Sequence, residues 1–145
     1  MAPVPDPVRS DDELPKSAEV VVIGGGIIGA ATALELAERG IDVVLCEKGH
    51  IAGEQSSRNW GWCRQMGRDV REIPLILESM RLWRNMNLRV GAETGFTECG
   101  ILYLCKDERQ LARNETWLDE YARPYQLDSR MIGPDEVAEL VPGAA

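Results

Sequence analysis

The sequence predicts an α/β fold built on a parallel βαβ unit, and three observations carry that prediction. A continuous β-branched run, Val20, Val21, Val22 and Ile23, reads as a strand buried on both faces. Glycines at 24, 26 and 29 stand directly behind it and open a small-residue stretch of helical pattern. A second apolar run then ends in an acidic residue, Glu47, 23 positions after Gly24.

Residues 1–17 carry Pro3, Pro5, Pro7 and Pro15 with Asp6, Asp11, Asp12 and Glu13, too little apolar area to offset chain entropy, so a flexible leader is expected. After the first strand, Ile27, Ile28, Ala30, Ala31, Ala33, Leu34, Leu36 and Ala37 predict a helix that Gly40 stops. Ile41, Val43, Val44, Leu45 and Cys46 form the second strand, and because a helix joins the two strands they must run parallel. Residues 48–68 lack a clear period and are rich in Gly, Ser, Asn and Arg, which predicts a long loop with one short helix; such loops are commonly functional.

Asp69 followed by Glu72 predicts a capping box, and Pro74 is tolerated only in a first helical turn. Leu75, Ser79, Leu82, Met86 and Arg89/Val90 mark one side of that helix, with Ile76, Met80 and Trp83 widening its apolar face. A turn at 91–94 leads to an expected strand over 96–105. Asp107, backed by Gln110, caps a second amphipathic helix reaching Ala122. Met131 and Ile132 suggest a short strand, and Pro134-Asp135-Glu136 opens a last helix ending at Leu140. The expected organisation is a leader over 1–17, a nucleotide-binding part over 18–68, and the start of an α+β region over 69–145.

At 145 residues the chain holds one domain and hardly two, and 44% hydrophobic with 28% charged residues gives it material for a core. Its 16 basic and 24 acidic side chains leave a formal charge of −8, which disfavours nucleic acid and anionic membrane surfaces as partners. The charge is uneven: residues 51–90 hold 7 basic and 4 acidic side chains, a basic island between two acidic flanks that suits an anionic ligand. No apolar run approaches the roughly 18 residues of a membrane-spanning helix, and the start lacks the apolar stretch of a secretory signal, so a cytoplasmic protein without a transmembrane segment is expected. Cys46, Cys63, Cys99 and Cys105 match neither a redox pair nor a zinc-ligand spacing, and His50 is the only histidine. Neither a metal site nor a catalytic triad is therefore expected, and no catalytic residue is assigned.

The GxGxxG spacing gains weight from its place between strand and helix, the Rossmann-like setting in which each glycine has a physical task. Gly24 permits the tight turn, Gly26 lets a pyrophosphate approach the backbone, and Gly29 lets helix and strand pack closely. The amides of Ile27 and Ile28 open the helix, whose N-terminus favours an anion. Glu47 suits the ribose hydroxyls of an adenosine and repels a 2′-phosphate, although Lys48 beside it adds a cation. On these grounds FAD and NAD both remain open.

The segment Ser56-Ser57-Arg58-Asn59-Trp60-Gly61-Trp62, with VVVIGGGIIGAATALELAERG and VVLCEKG before it, resembles the FAD-dependent amino acid and amine oxidoreductases that include D-amino-acid oxidase, glycine oxidase and sarcosine oxidase. The resemblance is good from residue 18 to about 67 and extends beyond only in the order of elements. It implies FAD as cofactor, with Ser56, Ser57 and Arg58 at the pyrophosphate or ribityl chain and the backbone of Asn59, Trp60 and Trp62 beside the isoalloxazine. An arginine and two hydroxyls in a basic island are chemically suited to a diphosphate. The implied reaction moves a hydride from the carbon next to an amine nitrogen to the flavin, leaving an imine that water hydrolyses; the substrate is a small amine or amino acid.

The resemblance also implies a longer chain, in which later residues return to complete the FAD domain and much of the substrate pocket. The sequence is therefore expected to be the N-terminal portion of such an enzyme: an FAD-binding βαβ unit with the start of an α+β substrate domain, incomplete and inactive by itself, completed by a missing C-terminal chain or a partner subunit. Arg64 and Tyr103 stand without an assigned role at the substrate. Two further readings are a nicotinamide-dependent dehydrogenase and a non-catalytic dinucleotide-binding module.

Overall fold

The computed structural model describes residues 4–143, and the chain divides into two compact units, Met1–Trp62 and Cys63–Ala145. The first unit is the expected βαβ element: β1 (Val20–Ile23), α1 (Ile27–Glu38) and β2 (Val43–Cys46), followed by a one-turn helix α2 (Gln55–Arg58). The two strands pair in parallel with Val20 opposite Val43 and Ile23 opposite Cys46. The Gly24 amide extends the ladder by donating to the Cys46 carbonyl at 2.8 Å.

Gly40 ends α1 for the reason its position suggests. At φ +75° it donates to the Ala37 carbonyl, while the Ile41 amide reaches back to Leu36, a Schellman closure that turns the chain into β2. The expectation that β1 is buried on both faces is corrected. Val21 and Ile23 are exposed, Ile23 by 89%, because α1 packs on the sheet from one side and leaves alternate side chains of β1 uncovered. Residues 4–17 contain no helix or strand; the leader's first three residues lie outside the described residues.

In the second unit Asp69 caps a 3₁₀ turn (Val70–Glu72) by accepting from the Arg71 amide at 3.0 Å, and Glu72 pairs with Arg68 instead of closing the reciprocal bond of a capping box. Helix α3 (Ile73–Arg84) follows with Pro74 in its first turn. The single long helix expected here breaks at Asn85. Its side-chain amide donates to the Arg81 carbonyl, the acceptor its own backbone N–H needs, and that N–H shifts to Leu82 before α4 (Met86–Val90) resumes.

Helix α5 (Glu108–Trp117) starts at Asp107, whose carboxylate accepts from the Gln110 amide at 2.7 Å, and runs into a single π turn (Leu118–Ala122). Helix α6 (Pro134–Leu140) is the last element. The strands expected over 96–105 and at Met131 and Ile132 are not formed. Among the described residues no backbone hydrogen bond joins either segment to a neighbour, and Gly100 at φ +73° bends the first of them. An apolar run becomes a strand only where a second strand offers a ladder. Phe96 instead stacks on Trp83, with ring centroids 5.8 Å apart. Ile73 and Ala122, each 1% exposed, are the buried apolar residues among the described residues of this unit.

Candidate functional site

The glycine-rich turn between β1 and α1 borders an open groove of about 470 Å³ in the first unit. Gly24, Gly26, Ile27, Ile28 and Gly29 line it from the turn and first helical turn, and Ser56 and Asn59 line it from the opposite loop. The structure thus brings together seven of the residues singled out in the sequence. The amides of a first helical turn have no partner within their own helix, so this wall of the groove presents hydrogen-bond donors and the positive end of α1.

Two signature glycines have the geometry their tasks require. Gly24 takes φ +107°, a conformation that residues with side chains rarely adopt. A Cβ at Gly29 would lie 1.8 Å from the Gly24 carbonyl oxygen, so only glycine permits the close approach of helix to strand. A Cβ at Gly26 would fall 3.0 Å from the Ser56 hydroxyl and narrow the cradle at the helix terminus. A diphosphate fits this arrangement: an open groove, first-turn amides without a partner in their own helix, and a hydroxyl already at the helix start.

Ser56 holds that place because its Oγ accepts from the Ile27 amide at 2.8 Å, which leaves the hydroxyl proton to donate to a ligand. Asn59 ends α2 by donating to the Gln55 and Ser56 carbonyls, while its own carbonyl accepts from the Gly61 amide at 2.6 Å. The remaining candidates do not line the groove. Ser57 donates to the Glu54 carbonyl at 3.2 Å, and Arg58 and Lys48 both pair with the Glu54 carboxylate, at 3.3 and 3.6 Å. Trp60, 81% exposed, meets Trp62 edge to face with centroids 5.3 Å apart.

Glu47 reaches the glycine loop by another route. Its Oε2 accepts from the Gly25 amide and its Oε1 from the Gly49 amide, each at 2.8 Å. These two backbone donors, Gly25 first, hold the carboxyl below its ordinary pKa. A charged carboxylate with free lone pairs remains able to accept from ribose hydroxyls.

Sequence reasoning missed four lining residues: Val22, Ile23, Thr32 and Gln55. Thr32 was within reach of periodicity, since it follows Ile28 by one helical turn and donates to its carbonyl at 2.8 Å. Gln55 carries no such signal, because only the fold sets α2 across from the glycine turn. In the second unit, Arg64 Nη1 donates to the Tyr103 hydroxyl at 2.9 Å, and that hydroxyl donates to the Met66 carbonyl at 3.2 Å. Among the described residues no group of three or more His, Cys, Asp or Glu is placed to hold a metal ion, and no helix is long and apolar enough to cross a membrane.

Comparison with known proteins agrees with this geometry. Residues 19–145 match the family described as DAO, FAD dependent oxidoreductase. The chain is 31% identical over 137 residues to the mitochondrial sarcosine dehydrogenase of Homo sapiens, covering 89% of this chain and 14% of that protein. It is 29% identical to sarcosine oxidase subunit beta of an Arthrobacter species, covering 95% and 34%, and 28% identical to the mitochondrial pyruvate dehydrogenase phosphatase regulatory subunit of Mus musculus, covering 89% and 15%. Among solved structures it resembles L-amino acid deaminase from Proteus vulgaris with a TM-score of 0.81 and 36% identity, over 91% of this chain and 32% of that one. The chain spans between about a seventh and a third of the length of these relatives.

Proposed function

The chain belongs to the DAO family of FAD-dependent oxidoreductases, and from that premise we propose that it supplies the dinucleotide-binding part of an enzyme that oxidises the C–N bond of an amino acid or secondary amine. The observation that carries the reading is the groove at the start of α1, where Gly24, Gly26 and Gly29 clear the backbone and Ser56 stands at the helix terminus.

In this reading Gly26, Ile27, Ile28 and Ser56 hold the pyrophosphate, and Glu47 accepts from the adenosine ribose. Lys48, Ser57, Arg58, Asn59 and Trp60 belong to the loop that borders the cofactor. Glu54 now engages both Lys48 and Arg58, so either cation turns to a bound diphosphate by exchanging one carboxylate for another anion. Bound FAD supplies the acceptor for the substrate's hydride; this chain's residues bind, orient and neutralise charge. The substrate class follows relatives named for sarcosine and L-amino acids, and the relative named a subunit supports a completing partner chain.

The test is uptake of FAD by the chain, followed by quenching of flavin fluorescence and a visible absorbance band that survives gel filtration. Uptake that Gly26→Val abolishes supports the reading; binding of NAD in place of FAD overturns it. A second reading, a non-catalytic dinucleotide-binding module, is favoured by the relative named as a regulatory subunit. It predicts FAD uptake without dye reduction in the presence of any amino acid or secondary amine, whatever chain is added to complete the protein.

A further inference from the structure

The three signature glycines leave Gly25 unassigned, yet Gly25 is the only buried residue among the described residues of the first unit. Its peptide is held from both sides. The N–H donates to Glu47 Oε2 at 2.8 Å, and the carbonyl accepts from the Ala52 amide at 2.8 Å. A Cβ at this position would meet Ile51 Cδ1 at 2.4 Å and Glu47 Cβ at 3.1 Å. The second Glu47 oxygen is held by the Gly49 amide, so both oxygens of one carboxylate receive backbone donors from two different loops.

Resting on the reading of the groove as a dinucleotide site, we infer that Glu47 is a positioning residue for the phosphate loop as well as a ribose acceptor. Through Gly25 its carboxylate fixes the turn that carries the Gly26 and Ile27 amides, and through Gly49 it fixes the exit of β2. The two ends of an adenosine diphosphate are thereby joined by one side chain: what orders the ribose end also orders the donors at the pyrophosphate end. The isosteric glutamine cannot do this. It offers one oxygen and one NH₂ where two backbone N–H groups both need acceptors, so one of them faces a donor.

The experiment separates this role from simple ribose contact by removing the ribose hydroxyls from the ligand. The affinities of the 145-residue chain and its Glu47→Gln variant are measured by calorimetry for ADP and for 2′,3′-dideoxy-ADP. If Glu47 orders the phosphate loop, the variant binds both nucleotides more weakly: dideoxy-ADP by about tenfold, the scale of a lost bond to a charged group, and ADP by more, because it loses the ribose contact as well. A loss seen with ADP that disappears with dideoxy-ADP overturns the inference and leaves the dinucleotide reading standing. Failure of the unmodified chain to bind either nucleotide overturns that reading and the inference with it. Should Glu47→Gln lose its native circular dichroism, amide hydrogen exchange of the unmodified chain decides instead: protection at Gly25 and Gly49 in the nucleotide-free protein supports the clamp, and free exchange at Gly25 overturns it.

Discussion

Replacing Gly29 by alanine tests the close approach of α1 to β1 more sharply than any other single change. The new methyl group would sit 1.8 Å from the Gly24 carbonyl oxygen, 3.1 Å from its carbon and 3.4 Å from Val22 Cγ1. The first two atoms are backbone, in a turn already at φ +107°, so no rotamer change relieves the clash. The helix must retreat by roughly 1.5 Å to reach ordinary contact, and overpacking of this severity costs about 3 kcal/mol or more. For a chain of this size that corresponds to a melting-temperature loss on the order of 6–12 °C. Gly40→Ala is the comparison, because Gly40, unlike the helical Gly29, sits in the left-handed region at φ +75° and has nothing within 4 Å of a new Cβ. Its cost is conformational strain alone, about 1–2 kcal/mol. Thermal unfolding by far-ultraviolet circular dichroism compares the two. If Gly29→Ala melts as high as Gly40→Ala, the claim that helix–strand approach sets the need for glycine at 29 is wrong.

Ile73→Ala truncates the largest fully buried side chain of the second unit, 1% exposed, and is expected to lower its unfolding free energy by about 2–5 kcal/mol in urea titrations; a loss no larger than that of an exposed leucine would show that Ile73 anchors no core. Tyr103→Phe takes a partner from Arg64 and the donor from the Met66 carbonyl, and should cost about 1 kcal/mol with the fold unchanged; an unaltered midpoint would mean the bridge is not formed in solution. Among the described residues, carboxylates held below their ordinary pKa include Glu47 by the Gly25 amide, Asp69 by Arg71, Glu78 by Arg81 and Glu136 by Arg130. A depressed folded-state value stabilises above the unfolded-state value and is lost as pH falls through the lower one. Stability should thus stay level down to about pH 5 and decline below about pH 4.5. A Glu47 carboxyl that titrates at or above its ordinary value, read by carbon-13 NMR, contradicts this.

The parts of the fold that local chemistry decides were legible in the sequence. The βαβ unit follows from a β-branched run, a helix period and a glycine stop, and α5 and α6 start where Asp107 and Pro134 say they should. Elements that depend on a distant neighbour were not legible. The run over 96–105 has strand composition but no partner strand among the described residues, and the break at Asn85 depends on whether a side chain or a backbone amide takes the Arg81 carbonyl. The site divides the same way. Gly24 and Gly29 could be read from spacing, because their need is set by the turn they occupy. The commitment of Arg58 to Glu54 and of Glu47 to Gly25 could not, since a charge in a sequence does not name its counterpart.

The parallel register of β1 and β2 bears on how the chain folds. Every rung, from Val20 and Val43 to Ile23 and Cys46, joins residues 23 positions apart, so no short turn can zip the strands together. The intervening loop loses its entropy before any rung forms, and the alanine-rich stretch from Ala30 to Ala37 lowers that cost by shortening the span when it coils into helix. Refolding speed in this unit should therefore track the helicity of α1, and slow refolding would leave an uncovered valine-rich strand open to its counterpart in another copy of the chain.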